Sequence, residues 1–191
     1  MIMRWFGRTI LRLFGWRVTG RPPALDKYIV IVAPHTSNWD FLIGLMAKFA
    51  FGVRLRFLGK HSLFAWYSGW FFRMFGGIPV RRDKAHNVVK QVTEFFEKEP
   101  TLILALAPEG TRSYTDHWRS GFYRIAKAAK VPIVLAFLDA QRKEVGLGPM
   151  LLPSEDIQGD MELIRRFYAD KVGIRPELKS RVRLLAEDET G

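Results

Sequence analysis

Three continuous runs of apolar, mostly β-branched or aliphatic residues punctuate the chain: Tyr28 to Ala33, Leu102 to Ala107 and Pro132 to Leu138. None alternates polar with apolar positions, so each predicts a strand buried on both faces, as in a sheet covered by helices on either side. Between them the period changes. From Ala85 to Lys98, the residues Val88, Val89, Val92, Phe95 and Phe96 recur on one helical face, and Asp83 stands where an N-cap belongs. Ser37 or Asn38 is placed to cap a helix from about Trp39 to Phe51, and Met161 to Lys171, opened by Gly159-Asp160, predicts another. Strands alternating with helices predict an α/β fold, a single-domain sheet flanked by helices. Functional loops then belong at the carboxyl ends of the strands.

The N-terminus follows a different pattern. Arg4, Arg8 and Arg12 fall four apart on one helical stripe, while Ile2, Met3, Trp5, Phe6, Ile10, Leu11, Leu13, Phe14 and Trp16 cover the remainder. Such a helix either docks on the domain core or lies in the plane of a membrane surface. The two tryptophans, the arginine stripe and the absence of any acid before Asp26 favour the N-terminal amphipathic membrane-surface helix. The breaker Arg21-Pro22-Pro23 closes it, dividing the chain into a basic helix and linker (1–21), an α/β domain (22–172) and a C-terminal tail (173–191). The tail loses periodicity, ends in Glu187-Asp188-Glu189 and is assigned no chemistry. The cluster Phe64, Trp66, Tyr67, Trp70, Phe71, Phe72 and Phe75 has two readings that stay open, helix core or acyl-chain and interface surface.

With 191 residues, 48% of them apolar, the chain can bury one core and is short for two. The lack of cysteine excludes disulfides, thiolate metal sites and a cysteine nucleophile. The net charge of +11 is unevenly spread: residues 1–90 hold 15 Lys and Arg against 3 Asp and Glu, residues 91–191 hold 15 against 16. One basic face is therefore expected, aimed at phospholipid headgroups, nucleic acid or a phosphorylated substrate. The longest uncharged aromatic run, His61 to Phe72, has twelve residues, too few to cross a hydrocarbon core of about 30 Å. No spanning helix is expected. The apolar N-terminus also lacks the small-residue cleavage site of a secretory signal.

His35 follows the first buried strand directly, and Asp40 lies five residues on, at the start of a helix. A loop histidine beside a helix carboxylate can form a base and its orienter. The acid accepts the Nδ1 proton, leaving Nε2 to take a proton from an alcohol. The structural alternative makes Asp40 a helix-dipole carboxylate and His35 a turn residue. The spacing of His61, His86 and His117 is not that of metal ligands, so no metal is expected.

Three further blocks accompany the pair: Gly76-Gly77-Ile78-Pro79-Val80-Arg81-Arg82, then Pro108-Glu109-Gly110-Thr111-Arg112-Ser113, then Val131-Pro132-Ile133. In this order they resemble the four blocks of the glycerolipid acyltransferase family, the 1-acylglycerol-3-phosphate (lysophosphatidic acid) acyltransferase type, across about residues 28 to 138. The resemblance implies that His35 deprotonates an acceptor hydroxyl, which attacks an acyl thioester without an acyl-enzyme, while Asp40 fixes the tautomer. It implies acceptor-phosphate binding by Arg82 and Arg112, an always-charged planar fork suited to that group. Arg81 adds a second cation to its block. Lys60 resembles a family lysine near the phosphate, against the plainer reading of a solvated strand-end lysine. Glu109, Gly110 and Thr111 fall in the third block, where they would shape the acceptor pocket, and backbone amides there would stabilise an oxyanion. Val131-Pro132 reads as structural.

The implied partners are a lysophospholipid acceptor, acyl-CoA or acyl carrier protein as donor and an anionic membrane surface. No cofactor is expected, and without a recognition motif no nucleic acid. The implied location is peripheral, on the cytoplasmic face of a membrane. Pro34 stands where many relatives have Asn, Ala107 where Phe commonly precedes Pro-Glu-Gly, and these departures lie in loops that select the acceptor. Another lysolipid, such as a lyso-ornithine lipid, is the alternative acceptor. An inactive basic membrane-binding module is the alternative class, and the presence of His35, Asp40, Glu109 and Arg112 opposes it.

Overall fold

The computed structural model describes residues 2–64, 69–80 and 85–188. The apolar runs form its centre. Strand β2 (Lys27–Ala33) lies between β5 (Leu102–Leu106) and β6 (Ile133–Asp139), parallel to both. Every residue of β6 is buried, as are five of the seven in β2. On the far side of β5 come β3 (Leu55–Lys60) and β4 (Gly77–Val80), also parallel, and on the far side of β6 come β7 (Glu144–Leu151) and β1 (Arg17–Thr19). The full order is β1-β7-β6-β2-β5-β3-β4, with β7 antiparallel to β6. The α/β expectation holds, and residues read as a linker contribute the edge strand β1.

Because strand side chains alternate between faces, β2 supplies two cores. Ile29 and Ile31 meet α4 (Ala85–Lys98), α5 (Gly121–Ala129) and α6 (Ile157–Tyr168) through Phe96, Phe122, Ile125, Met161 and Ile164. Tyr28 and Val30 face the opposite layer with Val134 and Ala136. In that layer α1 (Ile2–Leu13) and α2 (Trp39–Phe51) pack against Leu138 and Val145 through Leu11, Ala47 and Ala50, joined by Trp16.

The α1/α2 crossing depends on Gly7. A Cβ there would stand 2.5 Å from the Met46 carbonyl oxygen and 2.7 Å from the Ala50 nitrogen, so no larger residue lets the two backbones approach this closely. The helix is thus docked, along the line of Gly7 and Leu11. Thr9 and Ile10 are half-buried, and the rest of the helix remains outside: Trp5 is 69% exposed, and Ile2, Met3, Phe6 and Leu13 are exposed too, as is Phe14 just beyond it. A short helix α3 (Gly69–Met74) adds exposed Trp70, Phe71 and Met74. A groove bordered by Met3, Phe49 and Met74 joins α1, α2 and α3 on one surface.

The aromatic cluster is split by burial. Phe64 is buried, whereas Trp70 and Phe71 face outward, and Trp66 and Tyr67 lie outside the described residues. Asp83 also lies outside them. The last long helix begins at Ile157, earlier than its apolar pattern predicts, because Asp156 caps it by accepting the Gly159 N–H. No helix among the described residues is long and apolar enough to cross a membrane.

Candidate active site

Four parallel neighbours, β2, β5, β3 and β4, bring their carboxyl ends to one edge of the sheet. That edge receives the His35 loop after β2, the Pro108–Ser113 loop after β5 and Lys60 at the end of β3. Arg81 and Arg82 follow β4 immediately but lie outside the described residues, as does the side chain of Lys60. Topology alone therefore gathers segments 20 to 80 residues apart in sequence, as the carboxyl-end rule predicts.

The helix after His35 starts at Trp39, and its first turn carries Asp40. Asn38 makes no side-chain cap, while Ser37 Oγ accepts the Trp39 N–H at 3.2 Å. Asp40 turns back on the loop. Its Oδ2 accepts the backbone N–H of Thr36 at 2.7 Å and of Ser37 at 2.8 Å, and lies 3.1 Å from His35 Nδ1. The carboxylate is buried, the imidazole 21% exposed. Asp40 is thus immobilised by backbone donors before it meets the ring, and the ring nitrogen outside this pairing is Nε2. Trp39 and Leu42, both exposed, flank this loop on the first turns of α2.

Glu109 occupies an unexpected position. Its side chain is 2% exposed, and Oε1 accepts the His35 backbone N–H at 3.1 Å. Burial pushes its carboxyl up to about 7, aided by the nearby Asp40 charge and opposed by the His35 N–H and by Lys179. Among the described residues no group reaches its buried Oε2, nor the buried Oδ1 of Asp40. Gly110 turns the chain outward at a φ of +69°. Beyond it Thr111 and Arg112 are exposed, and Thr111 Oγ1 accepts the Ser113 N–H. The edge therefore has a buried acidic floor under His35 and an exposed polar and cationic rim. Val131 is buried, and Pro132 accepts the Ile29 N–H at the start of β6.

Two contributors carry no sign in the sequence. Thr36, 1% exposed, donates to Asp40 through its N–H and accepts the Arg175 N–H through Oγ1 at 3.1 Å. Arg175 and Gly173 belong to the tail, which returns to the His35 loop. Neither periodicity nor a motif marks this contact, since it joins backbone to side chain 139 residues apart.

An Acyltransferase family model matches residues 16–136. The chain belongs to that family. Over 118 residues, 61% of this chain, it is 30% identical to a 1-acyl-sn-glycerol-3-phosphate acyltransferase of Streptococcus pneumoniae (strain ATCC BAA-255 / R6), and the match spans 43% of that relative's length. The crystal structure of the 1-acyl-sn-glycerophosphate (LPA) acyltransferase PlsC from Thermotoga maritima shares the fold. Its TM-score is 0.58 at 18% identity, over 88% of this chain and 77% of that one. The family match includes the His35 loop and the Pro108–Ser113 loop, whereas the tail from Gly173 lies beyond it. Among the described residues no group of three or more histidines and acids is placed to hold a metal ion.

Proposed function

We propose that this acyltransferase moves a fatty acyl group from an acyl thioester, acyl-CoA or acyl carrier protein, to a hydroxyl of a lysophospholipid, with 1-acylglycerol 3-phosphate the simplest acceptor. The observation that carries this reading is the 3.1 Å contact between His35 Nδ1 and a buried Asp40 that two backbone N–H groups already orient. Asp40 holds the Nδ1 proton, so the Nε2 lone pair takes the proton of the acceptor hydroxyl. The alcohol oxygen bonds to the thioester carbonyl carbon, whose π electrons move onto its oxygen. Collapse of that adduct breaks the C–S bond, and the departing thiolate takes the proton back from the imidazolium. Ester and free thiol result, with no covalent enzyme intermediate.

The rim fits the acceptor. Arg112 presents a planar donor fork suited to a phosphate, and Arg82 and Lys60 are the partners that family resemblance adds. In the Gly110–Ser113 loop the N–H groups of Gly110 and Ser113 are occupied, by the Ala107 carbonyl and by Thr111 Oγ1. The amides of Thr111 and Arg112 are the ones we assign to the developing oxyanion.

The reaction belongs at a membrane surface. Of the seventeen large hydrophobic residues exposed among the described ones, eleven lie on or next to α1, α2 and α3, the layer on one side of the sheet. Trp39 and Leu42 bring that apolar surface to the His35 loop. Monotopic contact there would deliver a lipid acceptor to Nε2 without extracting it into water.

The test is a panel assay: purified protein offered lysophosphatidic acid, glycerol 3-phosphate, lyso-ornithine lipid and neutral lysolipids, each with both donor types, and products read by mass spectrometry. Diacylated phosphatidate from lysophosphatidic acid is expected. Ester formed only on another lysolipid would overturn the acceptor, and none on any acceptor would overturn the reaction.

A further inference from the structure

We propose that the segment 173–184, which follows α6, is a positioning element of the catalytic edge: it holds Thr36, and through Thr36 it sets Asp40 against His35. The proposal rests on the general-base reading of His35.

The segment touches both catalytic loops. At its start Gly173 is buried against the His35 loop. A Cβ there would fall 2.6 Å from Thr36 Oγ1, 2.9 Å from Thr36 Cγ2 and 3.3 Å from Pro34 Cβ, so glycine is the residue that allows this approach. Two residues on, the Arg175 N–H donates to Thr36 Oγ1 at 3.1 Å. Farther along, buried Ser180 Oγ accepts the Thr115 N–H at 3.2 Å, and the Arg181 N–H donates to the Thr115 carbonyl at 3.2 Å. The Trp118 N–H then donates to the Arg183 carbonyl at 2.7 Å, beside a parallel bridge between Trp118 and Leu184. Lys179 fastens the middle, its ammonium 2.9 Å from the carbonyls of Tyr168 and Ala169 at the end of α6.

These contacts join loops that leave different strands. One loop carries His35; the other continues from the block holding Glu109 and Arg112. The link to the base is a short chain of hydrogen bonds: Arg175 N–H to Thr36 Oγ1, Thr36 N–H to Asp40 Oδ2, and Asp40 Oδ2 to His35 Nδ1. Asp40 Oδ2 gathers three donors within 3.1 Å, so a displacement of Thr36 removes one of them and swings the carboxylate relative to the ring. Displacements of about 1 Å at a catalytic constellation cost rate on the order of a hundredfold.

Thr36→Val keeps the side-chain shape and removes the acceptor for Arg175. It is expected to lower kcat tenfold or more while the KM for the lysolipid acceptor stays within twofold, measured well below the melting transition. Thr36→Ser, which restores the hydroxyl, should recover the loss. Gly173→Ala is an independent route to the same displacement, and adding Thr36→Ala, which deletes the two atoms nearest the new methyl and leaves only Pro34 Cβ at 3.3 Å, should make the double variant faster than Gly173→Ala alone. His35→Ala, assayed in parallel, separates the two claims. Turnover by His35→Ala above about a tenth of wild type overturns the base itself. An inactive His35→Ala beside a Thr36→Val within twofold of wild type overturns the positioning role and leaves the base standing.

Discussion

Asp40 and Glu109 hold His35 at different points, one at ring Nδ1 and the other at the backbone N–H. The difference has a pH signature. Burial raises the Glu109 carboxyl from its ordinary 4.5 to about 7, so the folded protein keeps a proton there that the unfolded chain releases above pH 4.5. The stabilisation this proton gives is complete below pH 4.5 and is lost as the pH rises to about 7, a change of order 3 kcal/mol. Glu109→Gln retains an acceptor for the His35 N–H and cannot ionise. Its stability relative to wild type should therefore rise between pH 5 and pH 8, as measured by denaturant unfolding at several pH values. Parallel pH dependences for the two proteins would mean that Glu109 is ionised in the fold throughout. At the rim, Arg112→Ala should weaken a phosphate-bearing acceptor by 1.5 to 3 kcal/mol, roughly ten- to a hundredfold in KM, and a neutral lysolipid far less. Equal losses on both would assign Arg112 to the donor or to structure.

At the scale of elements, α1 is docked and keeps an exposed apolar surface. Gly7 and Leu11 dock it on α2, and its aromatic residues remain exposed. Deleting residues 1 to 16 removes Leu11 and Trp16 from a buried cluster, so the melting temperature should fall along with vesicle binding. Changing Arg4, Arg8 and Arg12 to Glu leaves that cluster intact. It should abolish partition into anionic vesicles, since three arginines contribute roughly 3 kcal/mol, about a hundredfold, and the reversed charges repel. A small thermal cost is expected from Arg4, which packs over Gly52 at the C-terminus of α2, where the helix dipole favours a cation. Unchanged partition of the triple variant by vesicle sedimentation would remove the electrostatic part of the anchor. The elements legible in the sequence are those whose local pattern agrees with their burial: β2, β5 and β6 as unbroken apolar runs, α2 and α4 with their observed boundaries. Strand β7 was hidden because Gly146, Gly148 and Pro149 interrupt its apolar pattern, and its place is set by pairing with β6. The contacts of segment 173–184 were hidden for a related reason, being backbone groups meeting distant side chains, which leave no periodicity to read.

Over the whole molecule, the sheet separates the edge that carries the candidate site from two covered faces, and the helices on one of those faces expose most of the large apolar residues. The candidate site was legible where its residues follow the apolar runs, His35 after β2 and Glu109 to Arg112 after β5, whereas half-buried β3, which Lys60 closes, offers no such run. What the blocks did not reveal is that Glu109 lies beneath the base, which only the burial of the β5 loop under His35 brings about. The central claim is that His35, oriented by Asp40, removes the acceptor proton. Its most direct test is single-turnover acyl transfer from a radiolabelled acyl thioester to lysophosphatidic acid by wild type, His35→Ala and Asp40→Asn, with vesicle binding and melting temperature recorded for each. The account predicts a loss of about 10²-fold or more for His35→Ala and a large loss for Asp40→Asn, which offers Nδ1 the wrong partner, with binding and stability of His35→Ala nearly unchanged. Retention of more than about a tenth of wild-type turnover by a folded, vesicle-bound His35→Ala would contradict it.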